Sequence, residues 1–182
     1  MREFFFAHLP HCLAGLILLA RLADIGTTWL ATPRLMLESN PFVRRLPRTT
    51  AILSLFLFLV PYWAPGPSLI ILVPSLLVSA NNASRLWVYR AVGEEQAFEN
   101  ALASAARARV RPTLISLALP PLFFTVLAGL LVLFYPDPVR DWGYWFALGL
   151  VTYALAMLVY GPLSFFRLRK FARLRGLGPT QE

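Results

Sequence analysis

The chain has 182 residues and a net charge of +8; 58% of its residues are hydrophobic and only 14% are charged. Soluble domains run about 45–50% apolar and about 25% charged. A mean hydropathy of +0.62 therefore excludes a water-soluble globular fold, and the long apolar runs read as membrane spans. All of the 17 basic residues except Lys170 are Arg, and beside apolar spans this excess points to anionic lipid headgroups, not nucleic acid. Cys12 stands alone, which excludes an intrachain disulfide.

In chain order, the first span covers about residues 9–31 and Pro33 prevents it from continuing far. No small-residue cleavage signal follows it, so it reads as a retained helix rather than a signal peptide. Asn40 is placed to N-cap a short interfacial helix, with Pro41 at its first position. The second span, about residues 49–64, is barely long enough at about 1.5 Å per residue for a core of about 30 Å. A re-entrant hairpin over 49–87 is the alternative. Pro65-Gly66-Pro67 forms a turn, and the third span covers about 68–87. The polar stretch 90–112 reads as an amphipathic cytoplasmic helix. Glu94, Glu95 and Glu99 occupy its first half and Arg107, Arg109 and Arg111 its second, the order the helix dipole favours. The fourth span, about 113–135, carries Pro120-Pro121, where a kink is expected. After the Pro136-Asp137-Pro138 turn, a fifth span covers about 142–166 and a basic cytoplasmic tail, 167–182, ends the chain.

Charge orients the bundle. Segment 32–48 carries four Arg, segment 85–112 five, and the tail five basic residues, whereas the opposite connections carry only Arg2 and Arg140. The positive-inside bias predicts an all-α bundle of five transmembrane helices, N-terminus outside and C-terminus in the cytoplasm, in a prokaryotic cytoplasmic membrane. A hairpin at 49–87 would leave that orientation unchanged. Trp63, Trp87, Trp142 and Trp145 near the span ends suit an aromatic belt.

Charged groups inside a span are costly and mark function by default. Arg21, Asp24, Thr27, Thr28 and Thr32 fall on one arc of the first helix, and Ser68, Ser75, Ser79 and Asn82 form a stripe on the third that Asn81 and Arg85 extend. Two polar stripes in neighbouring spans should face each other. The expected result is a pocket near the cytoplasmic leaflet lined by Asp24, Thr27, Thr28, Glu38, Asn40, Asn81, Asn82 and Arg85. A purely structural reading stands beside it. Arg21 and Asp24 can neutralise one another, the threonines can bond the backbone, and the amides can join helices.

Asp24-x-x-Thr27-Thr28 followed by Glu38-x-Asn40-Pro41 resembles the D-x-x-[ST]-T … E-x-N-P signature of a small prokaryotic multi-pass membrane-protein family of unknown function. The resemblance covers roughly residues 10–90, and the last two spans and the tail depart from that family's layout. It implies that Asp24, Thr28, Glu38, Asn40 and Pro41 act together, and it brings no activity with it.

Two carboxylates with Asn and Thr oxygens are hard ligands, so a divalent cation such as Mg²⁺ is the metal they would suit. Arg85 with the adjacent amides could hold a lipid phosphate. His8, His11 and Cys12 share a face at the outer end of the first helix and form a weaker metal or haem candidate. No hydrolase, zinc-protease, redox or phosphate-loop motif is present, which counts against an enzyme. The leading expectation is a membrane protein that binds or moves a small polar solute, ion or lipid headgroup. An accessory subunit with a membrane-protein partner and a lipid-acting enzyme are the alternatives.

Overall fold

A computed structural model describes residues 2–38, 40–139 and 141–177, the backbone alone for 2–7. Arg140 and the side chain of Arg2, which carry the charge of the opposite connections, and residues 178–182 of the expected tail lie outside that description. The described residues form helices and turns without a strand. The helices are α1 (Arg2–Ala31), α2 (Pro41–Arg45), α3 (Pro47–Leu55), α4 (Leu69–Val92), α5 (Glu94–Arg107), α6 (Val110–Phe134) and α7 (Trp142–Leu174), with a 3-10 segment at Phe56–Tyr62 after α3. Among the described residues, four stretches are long and apolar enough to cross a membrane: His8–Ala31, Leu69–Val92, Val110–Phe134 and Trp142–Leu174.

Several boundaries differ from the sequence reading. The expected second span is not one α-helix; α3 passes into the seven-residue 3-10 segment ahead of Pro61. α4 continues past Trp87 to Val92, where Gly93 turns the chain at φ 81°, a backbone state that L side chains rarely adopt. α6 runs unbroken in its helical assignment through Pro120 and Pro121. The basic tail is not a separate appendage. It is the continuation of the 33-residue α7 as far as Leu174.

The long helices pack as a row. α3 and the 3-10 segment lie against α1, α1 against α4, α4 against α7, and α7 against α6. Leu13, Ile17 and Ala20 of α1 meet Leu72 of α4, with Leu57 and Phe58 of the 3-10 segment packed beside them. On the other side of α4, Val73 packs with Ala128, Ala147 and Leu150. Small residues let these backbones approach. A methyl group added at Gly149 would sit 2.8 Å from the Leu69 carbonyl oxygen and 2.8 Å from Val73 Cβ. α6 closes the row and turns Ile115, Phe123 and Leu133 outward.

The apolar face of the amphipathic helix α5 is turned into the protein. Phe98, Leu102 and Ala106 bury themselves against Ala172 and Leu168 of α7 and against Met36 and Leu37. This packing builds a cap over one end of the row from segment 32–38, α5 and the end of α7.

Candidate functional site

The two polar stripes meet between α1 and α4. Arg21 Nη1 donates to Asp24 Oδ2 at 2.8 Å and to Ser75 Oγ on α4 at 3.3 Å. Two turns closer to the cap, Asn82 Nδ2 donates to Thr28 Oγ1 at 2.9 Å. Helical spacing explains both pairs. Residues 21 and 28 are two turns apart on one face of α1, as 75 and 82 are on α4. The side chains of Arg21 and Asp24 are 20% and 14% exposed, so this ion pair is largely withdrawn from its surroundings. Ser75 and Ser79 are buried.

Other members of the expected set are placed differently. Thr27 returns its hydroxyl to the Ala23 carbonyl at 2.7 Å, and buried Thr32 does the same to Thr28 at 3.1 Å, as Thr does when no tertiary partner is in reach. Ser68 bonds the Pro65 carbonyl in its own turn. Asn81 and Arg85 are exposed, so neither lines an enclosed pocket with Thr28. The α4 surface carrying them has rotated away from α1, because successive residues turn about 100° on a helix. The polar groups between α1 and α4 thus form a hydrogen-bonded seam.

Above the seam lies the segment after α1. Asn40 caps α2 by accepting from the Phe42 amide at 2.9 Å, with Pro41 at the first helical position, as its residue type requires. The Glu38 carboxylate accepts from the Asn40 amide at 2.7 Å. Glu38 and Asn40 are therefore joined in the segment that follows α1.

The sequence reading missed the groups that hold this segment in place. Arg167 of α7 donates to the carbonyls of Glu38 and Met36, the latter at 3.0 Å. Glu94 at the start of α5 accepts from the amides of Arg34 and Met36, both at 2.8 Å, and Arg34 pairs with Glu95. Between these grips sits Leu35, buried and at φ 53°, a conformation costing an L residue about 1–2 kcal/mol. In the sequence Arg167 looked like one more headgroup cation and Glu94 like a dipole complement. Their long-range partners gave no local signal.

Two buried guanidinium nitrogens, Arg21 Nε and Arg167 Nε, have no hydrogen-bond partner within the described residues. Asp24 and Glu38 also retain acceptor capacity, since a carboxylate offers about four lone-pair sites. The region can thus both donate and accept. A metal is less well served: among the described residues, no three of His, Cys, Asp and Glu are grouped to hold one. A divalent ion at Asp24 and Glu38 would need other oxygens. At the far end of α1, His11 Nδ1 bonds Tyr62 Oη at 3.0 Å, the His8 ring lies 6.3 Å away, and Cys12 is exposed.

Comparison of the chain with protein-family models, with curated proteins and with solved structures found no match.

Proposed function

We propose that the chain is a five-span protein of a prokaryotic cytoplasmic membrane, N-terminus outside, whose α1–α4 seam and overlying Glu38 bind or move a small polar solute, ion or lipid headgroup. The observation that carries this reading is the convergence of Arg21, Asp24, Ser75, Thr28 and Asn82 between two span-length helices, with Glu38 in the segment that continues from α1. One ion pair would suffice to join two helices. The extra carboxylate and the two unpartnered guanidinium nitrogens exceed that need. The resemblance to a D-x-x-[ST]-T … E-x-N-P pattern groups Asp24, Thr28 and Glu38 among these residues. The Arg-rich connections orient the cap toward the cytoplasm and anionic lipid.

The fifth crossing draws support from the 3-10 segment. Nine α-helical residues at about 1.5 Å and seven 3-10 residues at about 2.0 Å extend about 27 Å, near the hydrocarbon thickness of about 30 Å. The Tyr62–His11 bond ties the end of that path to the opposite end of α1 from the cap.

A heat-stability screen of the purified chain tests the site. It covers divalent cations, small anions and headgroup analogues, and compares wild type with Glu38→Gln, which keeps an acceptor for the Asn40 amide while removing the charge. A stabilising compound whose effect disappears in Glu38→Gln supports the reading. A stabilisation identical in both proteins contradicts it. The second reading, an accessory subunit held by a membrane-protein partner, is favoured by the way Arg21, Asp24, Thr28 and Asn82 spend hydrogen bonds on one another. Purification with one stoichiometric partner in mild detergent would select it.

A further inference from the structure

The five cations at the end of α7 sort into two groups. Arg167 reaches segment 36–38 and Arg175 pairs with Glu99 while lying over the Phe98 ring, so both serve the cap. Arg169, Lys170 and Arg173 instead line a groove of about 400 Å³ together with Val110, Phe166 and Leu174. On α7 the lining positions 166, 169, 170, 173 and 174 follow the i, i+3, i+4, i+7, i+8 pattern, one face of a helix. None of the lining residues is acidic.

The groove also meets the N-terminus of α6. Arg109 caps that helix without a side-chain hydrogen bond, and Pro112 has no amide, so Val110 and Arg111 supply the free N–H groups at the positive end of the helix dipole. Arg169 is held against this end by donating to the Ala108 carbonyl at 3.3 Å. The apolar run of α7 stops at Phe166, immediately before the basic stretch, which is where headgroups meet the hydrocarbon. Val110, Phe166 and Leu174 add apolar walls that a free phosphate ion would not use.

We infer that this groove is a binding site for the phosphate of an anionic phospholipid, with Arg169, Lys170 and Arg173 facing the phosphate and the apolar walls facing the glycerol and upper acyl chain. It specifies the lipid partner expected from the basic surface and depends only on the membrane reading, not on the α1–α4 seam. Its failure would leave the seam proposal intact.

The test is lipid binding to delipidated full-length protein by native mass spectrometry, titrating phosphatidylglycerol, phosphatidylcholine and inorganic phosphate separately. Lys170 and Arg173 are exposed, so Lys170→Gln/Arg173→Gln removes charge without cutting the Arg169–Ala108 bond. At about a fivefold loss per cation, the double variant should bind phosphatidylglycerol about thirtyfold more weakly. Should the double variant misfold, each single variant should still bind about fivefold more weakly. Arg90→Gln/Arg107→Gln, elsewhere on the basic surface, should bind as wild type does. Equal binding of phosphatidylcholine, unaffected groove variants, an equal loss in the control, or inorganic phosphate that displaces the lipid stoichiometrically would each overturn the assignment.

Discussion

Replacing Asp24 by Leu leaves the Arg21 guanidinium, 20% exposed, with only the Ser75 hydroxyl at 3.3 Å as a partner. Removing one member of a buried pair costs about 3–5 kcal/mol, whereas replacing both by apolar groups is often neutral or stabilising. The remaining bond to Ser75 and the residual exposure place Asp24→Leu at the low end, about 3 kcal/mol. In a chain of this size that lowers Tm by about 6–12 °C. Arg21→Leu/Asp24→Leu should return to within about 1 kcal/mol of wild type. Ser75 tolerates the loss of Arg21, because its hydroxyl donates to the Ile71 carbonyl at 2.7 Å in any case. The assay is intrinsic fluorescence of the five Trp on heating in lipid nanodiscs. If Asp24→Leu melts with wild type, or the double variant melts as low as the single one, the pair is not the buried unit described.

A double-mutant cycle of Thr28→Val and Asn82→Leu should give a coupling of about 0.6 kcal/mol and no more than about 1.7 kcal/mol; zero coupling would separate α1 from α4 at this level. Glu94→Ala should speed amide exchange at Arg34 and Met36 about tenfold or more, from the loss of bonds to a charged acceptor worth about 1.5–3 kcal/mol. Unchanged protection there would remove Glu94 from the role of clamp. In a Cys12→Ser background, Trp63→Cys should react with a membrane-impermeant thiol reagent from outside intact cells. Arg48→Cys should react only after permeabilisation, and the same pattern at both sites would exclude a crossing between them.

The helices with strong apolar periodicity were legible because nothing but burial in lipid or protein accommodates them. The facing of the stripes was legible too, since Arg21 and Thr28 find Ser75 and Asn82 through helical spacing alone. The Asn40 cap followed from residue type. What escaped the sequence reading depends on tertiary contact. Asn81 and Arg85 share a polar stretch with Asn82, but helix rotation leaves them exposed. The partner of the apolar face of α5 is α7, far away in sequence. Arg167 and Glu94 reach segment 34–38 across large sequence separations that no local pattern encodes. The 3-10 stretch likewise has no period of its own, because Phe56–Tyr62 is almost uniformly apolar.

The central claim is that the seam between α1 and α4, with Glu38 above it, holds a ligand. Native mass spectrometry of the chain extracted gently from its own membrane tests it most directly, with Glu38→Gln purified in parallel. The expected result is a retained solute, ion or lipid on the wild-type chain that is absent from Glu38→Gln. A chain that carries nothing at this site, yet purifies with one stoichiometric protein partner, would contradict it.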